Sequence, residues 1–301
     1  MNKLFLNGVY QAKMSNLLSK DTFENLKALS GNAFLNYLKE LSFGANSNYE
    51  HLEDVFKYEN KALKTEVNSL SETNIFSDIF YLKNDLTNIK IVYKSIYYDV
   101  LIDDYDQNSK FSIDALTEFF KRDNDALIKD SDLEVLKTIK NIKANSLKKS
   151  LEEIEKTYYL HYLNKAKAFD KSLYNYLAFK VVINNLLVFL KLKARNASLD
   201  LLKSLLLPED FVGIDMWLEL FVANEQQITN FFTNNFYGQL LPGISEYFDN
   251  GSVKLIKENL NNYFKNLLLE LSYDNNTLGS VTYYLYLKEV EINNVRRSYY
   301  E

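Results

Sequence analysis

The chain has 301 residues, a net charge of −5 at pH 7, 47% hydrophobic and 25% charged residues, 8 Gly, 2 Pro and no Cys. That length suits two or three packed subdomains, and the balance of apolar and charged residues excludes a disordered or bilayer-embedded chain. Scarce Gly argues against an all-β fold built on tight hairpins, scarce Pro permits long helices, and the missing Cys removes disulfides and thiolate metal sites; the acidic balance disfavours nucleic acid, whose affinity comes from cations on phosphate.

In chain order, the start Met1-Asn2-Lys3-Leu4-Phe5-Leu6-Asn7-Gly8 turns polar too soon for a secretory signal. Residues 1–43 read as helical, with Asp21 and Glu24 resembling a capping box, a break at Ser30-Gly31-Asn32, and Gly44 as a helix-ending C′ residue. Residues 44–49 read as a loop, and Leu52, Val55, Phe56, Leu63 and Val67 carry the next helix. Phe76, Ile79, Leu82, Leu86, Ile89 and Tyr93 mark one face of a single long helix over 75–99. Residues 103–110 read as a solvated polar linker, and Ser131-Asp132-Leu133-Glu134 as a capping box before the next helix.

A charged helix is expected over 148–169 and a nearly all-apolar, central one over 172–195. Its stretch from Tyr176 to Leu190 is interrupted by Lys180, Asn184 and Asn185 and falls short of the ~20 apolar residues of a span, so it reads as a buried core helix. Residues 240–251, with Pro242-Gly243 and Asn250-Gly251, read as turns; helices follow at 252–273 and 279–298.

One short pattern recurs: acid, apolar, polar, Asn, apolar, base. It stands as Asp85-Leu86-Thr87-Asn88-Ile89-Lys90 and as Glu291-Ile292-Asn293-Asn294-Val295-Arg296, preceded by Lys288. A weaker copy, Val182-Ile183-Asn184-Asn185-Leu186-Leu187, lacks both the acid and the base. Copies about a hundred residues apart predict domain-sized units rather than a short solenoid repeat. The expected domains are 1–105, 106–196 and 197–301, packed as a pseudo-threefold ring or funnel. Leu205 to Asp210 echoes Leu17 to Asp21, and Asn235-Phe236-Tyr237-Gly238 echoes Leu41-Ser42-Phe43-Gly44, in the same order.

On a helix the acid and the Asn lie three apart and share a face. The pattern therefore reads as packing: the Asn bridges backbone groups of a neighbouring element, and the acid pairs with a local base. Paired carboxylates for acid–base chemistry fit less well, because the middle copy has Val182 at the acid position. His51 and His161 have no third ligand in view. Asp104, Asp106 and Asn108 imitate an EF-hand start, but Ser109 and Ala115 stand where Gly and Glu are needed. No P-loop, dinucleotide fingerprint or nucleophile elbow occurs, so no catalytic, cofactor-binding or metal residue is expected. Tyr97-Tyr98, Tyr158-Tyr159 and Tyr283-Tyr284 are compatible with partner-facing surfaces.

The run Tyr284 to Arg296 resembles the C-terminal signature of the C-type subunit of V/A-type ATPases, equivalent to the d-type subunit of the eukaryotic vacuolar enzyme. Phe80 to Lys90 resembles that family's first-domain signature, and Asn184 to Lys193 its middle one. The opening Gly8-Val9-Tyr10-Gln11-Ala12-Lys13 with Leu17-Leu18-Ser19 matches its start, so the resemblance covers the whole chain. The resemblance implies an all-α, funnel-shaped protein of three similar domains that is not an enzyme and carries no cofactor. It implies a place in the central stalk, on the cytoplasmic face as a peripheral part of the membrane complex. The implied partners are shaft subunits of the D and F type and the proteolipid ring, with torque passed between them and no membrane insertion. It also implies a short helical tail after Arg296-Arg297. The competing expectation is a generic all-helical scaffold or adaptor.

Overall fold

The computed structural model describes residues 2–44, 49, 51–70, 74–101, 105–208, 211–235 and 238–300. Among them are sixteen α-helices, one short 3-10 turn and no strand, so the fold is all-α. The chain forms two compact units, Met1–Ser77 with Leu268–Glu301, and Asp78–Leu267.

The first unit holds α1 (Lys3–Met14), α2 (Lys20–Lys27), α3 (Gly31–Glu40), α4 (Leu52–Ser69) and α16 (Gly279–Tyr300). Helices α1, α2 and α4 each pack on α16. Every residue of α16 from Gly279 to Tyr286 is buried, and burial then narrows to one face. Tyr10 meets Tyr284 edge-on at 5.1 Å, and Asn7 donates to the carbonyl of Thr277 at 2.8 Å. The close approach starts at Gly279, where a Cβ would lie 1.9 Å from the Leu271 carbonyl oxygen. The N-cap of α2 is Ser19, which accepts from the N–H of Thr22, so Asp21 sits in the first turn and is not the cap. Helix α3 ends in a Schellman turn: Ser42 takes φ +56°, and the N–H of Phe43 donates to the Leu38 carbonyl at 2.9 Å. Ser42, two residues before Gly44, is therefore the C′ residue.

The second unit is organised on α10 (Lys171–Ala194), with α9 (Leu147–Phe169), α11 (Leu199–Leu205), α12 (Ile214–Val222) and α14 (Leu241–Asn250) packed on it. Tyr176 stacks on Phe80 at 4.4 Å, and Phe179 stacks on Phe264 at 4.9 Å. Burying each such ring contributes about 1.5–3 kcal/mol. No described helix is long and apolar enough to cross a membrane. Lys193, near the end of α10, donates to the carbonyls of Phe221 at 2.7 Å and Ala223 at 2.9 Å, closing the open end of α12.

Around this core lie α6 (Leu82–Tyr98), α7 (Ile113–Arg122), α8 (Asp130–Lys140), α13 (Glu225–Asn234) and most of α15 (Lys254–Ser272). The expected single helix over 75–99 is broken: α5 (Ile75–Phe80) ends and Tyr81, at ψ +15°, precedes α6. Both pieces keep the same apolar periodicity, which is why the break is invisible to it. Leu241–Asn250 form helix α14 rather than turns, because Pro242 falls in the first turn where its missing N–H costs nothing, whereas Gly251, at φ +73°, does turn the chain at the helix end. Gly243 is needed for contact, since a Cβ there would lie 2.5 Å from Cα of Ile256. Helix α8 starts after Lys129, so Ser131 and Asp132 lie inside it rather than capping it.

Candidate functional site

The recurring pattern falls on α6, α10 and α16, and two of its Asn side chains do the same physical task. Asn88 accepts from the N–H of Asp106 at 2.8 Å and donates to the carbonyls of Asp106 and Phe111, each at 3.0 Å. Asn185 accepts from the N–H of Leu207 at 2.9 Å and donates to its carbonyl at 2.9 Å. Each carboxamide thus pairs with both the N–H and the C=O of one residue in a later connecting segment, as a neighbouring strand would. Asn294 is half-buried in α16, and there the acid takes over: Glu291 accepts from the N–H of Leu18 at 2.6 Å.

The charged members of the pattern are paired locally. Lys288 lies 2.5 Å from Glu291 and 3.2 Å from Glu59, and Glu59 in turn accepts from the N–H of Gly44 at 2.6 Å. Burial lowers the Lys288 ammonium, but Glu291 and Glu59 outweigh it and hold it above its ordinary range. Lys90 pairs with Glu155. Arg296 is 3.5 Å from Glu53 and lies over the Phe56 ring at 4.6 Å.

Asp85 belongs to a larger cluster centred on Lys110. Lys110 Nζ reaches Asp78 Oδ1 at 2.8 Å, Asp132 Oδ1 at 2.9 Å, the Tyr162 hydroxyl at 2.7 Å and Asp85 Oδ2 at 3.9 Å. Asp85 Oδ1 accepts from the backbone N–H of Lys110 at 2.8 Å and from the Ser109 hydroxyl at 2.9 Å. The Tyr158 hydroxyl donates to Asp85 Oδ2 at 3.3 Å, and that of Tyr162 to Asp132 Oδ1 at 2.7 Å. The side chains of Asp78, Asp85 and Asp132 are 6%, 1% and 3% exposed, so this is an interior ion cluster. Burial pushes Asp85 up to about 6 against the opposing pull of Lys110, and raises Asp78 too. For Asp132 burial also raises, but Lys110 and Tyr162 prevail and hold it below the usual range.

This arrangement corrects two expectations. Of the expected linker, residues 103 and 104 lie outside the described residues; within 105–110 Tyr105 and Gln107 are exposed, but Lys110 and Asp106 anchor the segment to the core. Asp132 is no cap but a ligand of Lys110. Nothing in a run of polar residues marks one lysine as buried; the available signal is an Asp on the apolar face of α6, whose charge needs a partner. The tyrosine pairs divide as well. Tyr158, Tyr159, Tyr283 and Tyr284 are buried, whereas Tyr97 and Tyr98 are exposed.

Among the described residues no three His, Cys, Asp or Glu are arranged to hold a metal ion. The centre of the three aspartates is filled by Lys110 Nζ. His161 is held down at about 4 by burial and by Lys165, so it stays neutral. The cleft lined by Lys143, Lys148, Lys149, Glu152, Glu153 and Asp200 offers charges of both signs rather than a site for one ion.

These features define an all-helical protein whose recurring polar residues fasten turns to helices. The chain belongs to the ATP synthase (C/AC39) subunit family, whose model it matches over residues 6–297. That family comprises the C-type and d-type subunits of V/A-type ATPases. No curated protein matches the chain at a significant level.

Proposed function

We propose that this chain is a non-catalytic central-stalk component of a V/A-type ion-translocating ATPase or ATP synthase. It joins the shaft subunits to the proteolipid ring, turns with them and passes torque. The observation that carries this reading is the family match over residues 6–297. The packing supports it: Asn88, Asn185, Glu291, Lys288 and Lys110 are all engaged in holding turns and helices together. A torque-bearing spacer needs a stiff interior, and buried polar groups that are fully bonded resist sliding of one helix on another. Three repeat domains, 1–105, 106–196 and 197–301, would each carry one signature helix. The protein would sit peripherally on the cytoplasmic face, with no segment inserted in the bilayer.

The test is purification of the tagged chain from native membranes in mild detergent. Shaft subunits and proteolipid should come with it, and its removal should leave ATP hydrolysis in the catalytic head but abolish coupled ion transport. Recovery of the chain without either partner would overturn the reading and favour a general scaffold. The isolated protein should hydrolyse no ATP.

A further inference from the structure

The interior cluster around Lys110 is unbalanced. Three aspartates from α5, α6 and α8 face one ammonium, on a side chain that is 19% exposed. The other groups facing it come from α9. Tyr158 and Tyr162 are neutral donors, and His161 is neutral as well. Lys165 is the second cation, but it is only half-buried, donates to the Ser131 carbonyl at 2.7 Å and lies over the Tyr162 ring at 5.1 Å. Glu134 of α8 acts on His161 and Lys165 from outside the cluster. Within α9, Glu155 is taken by Lys90. Helix α7 packs on α6 through Ala115, Leu116, Phe119 and Phe120; its Asp114, Lys121 and Arg122 are exposed, and Glu118 pairs with Arg122 at 2.7 Å. From the connecting segment, Asp106 accepts from the Asn84 side chain at 2.7 Å and from the N–H of Asn108 at 2.8 Å.

We propose that this cluster is a proton-loaded lock: on mild acidification Asp85 takes up one proton, and the unit spanning Asp78–Leu267 becomes more stable. The two oxygens of Asp85 are already differentiated for this. Oδ1 accepts from the Lys110 N–H and the Ser109 hydroxyl, which a neutral carboxyl's carbonyl oxygen continues to do. Among the described residues, Oδ2 faces the Tyr158 hydroxyl at 3.3 Å and, at 3.9 Å, Lys110 Nζ. A proton from solvent bonds to Oδ2, and the Tyr158 hydroxyl turns to accept it. Tyr158 then donates towards Tyr162, with which it already interacts. The hydrogen bonds from Ser109 and Lys110 to Asp85 survive and only the long 3.9 Å ion pair with Lys110 Nζ is given up, while one of three crowded negative charges is removed.

The sign follows from burial. Asp85 binds its proton more tightly folded, at about 6, than at its ordinary 3.8. Stability from this group is therefore complete below the ordinary value and is lost as pH rises through about 6. The lock would act whether or not the chain turns in a stalk, because it resides wholly in one unit of the isolated protein.

The direct test follows the Asp85 side-chain carbonyl by carbon NMR in the full-length wild-type protein across pH. A midpoint near 6 is expected; a midpoint in the ordinary carboxylate range would overturn the lock. The second arm compares urea unfolding of wild type and Asp85→Asn at about pH 7.5 and about pH 5.5. Wild type should gain stability relative to the variant on acidification, by about fourfold in the folding equilibrium between these two pH values for a native midpoint near 6. Parallel curves would sink the proposal. If Asp85→Asn does not fold, Asp78→Asn serves: removing that neighbouring charge should bring the Asp85 midpoint down, and an unmoved midpoint would count against coupling in the cluster.

Discussion

Asn185 and Leu207 are joined by a reciprocal pair of hydrogen bonds, both 2.9 Å, between a buried carboxamide and the N–H and C=O of one residue 22 positions further on. Asn88 makes the same pair with Asp106 in the preceding copy of the pattern. Removing the side chain leaves a buried N–H and C=O without partners, and each such group costs about 1–3 kcal/mol. Asn185→Ala should therefore lower stability by about 2–4 kcal/mol in urea unfolding, whereas Asn184→Ala, at a less buried neighbouring position, should change it by under about 1 kcal/mol. Equal losses would contradict the clamp.

Lys110 is the partly buried cation at the centre of three buried aspartates. Lys110→Met keeps most of the length of the side chain and removes the charge, leaving an uncompensated buried ion cluster. A loss of about 3–5 kcal/mol at neutral pH is expected, shrinking as the medium is acidified and the aspartates take up protons. A variant with wild-type stability at neutral pH would show that the ammonium contributes nothing to holding the 105–110 segment.

At the far end of the chain, Glu291 links α16 to the N–H of Leu18 and to Lys288. Both Glu291→Gln and Lys288→Met should destabilise the first unit, Glu291→Gln by about 1–3 kcal/mol. Because they share one contact, the double variant should lose less than the two single losses combined. Strict additivity in a double-mutant cycle would mean that the two side chains act independently.

Two glycines are fixed by space rather than by backbone angle. Gly243→Ala would press a methyl against the backbone of Ile256 at 2.5 Å, and Gly279→Ala against the Leu271 carbonyl at 1.9 Å. Backbone cannot swing aside as a side-chain end can, so a loss of at least about 1–3 kcal/mol is expected for each. Gly8→Ala, with nothing within 4 Å of its Cβ, should stabilise slightly through helix propensity. The thermal unfolding midpoints of the three variants should order accordingly.

Helical class, family and most helix positions are legible in the order of residues alone. Long segments such as α4, α9, α10 and α16 carry an apolar period of about 3.6 that has no other stable reading, and scarce Gly and Pro leave them uninterrupted. The same pattern marks Asn88, Asn185 and Glu291, because a polar group at a fixed offset on an apolar face must find a partner. Where those partners lie emerges only from packing. Tyr81 breaks a helix whose two halves share one periodicity, and Pro242-Gly243 lies in the first turn of a helix, with Gly243 pressed close against Ile256. Lys110 reads locally as a solvated linker residue, yet it is the centre of a buried cluster. Its environment is made by Asp78, Asp85, Asp132 and Tyr162, brought from four different helices. Burial of a charge depends on neighbours distant in sequence, and local pattern holds no information about them.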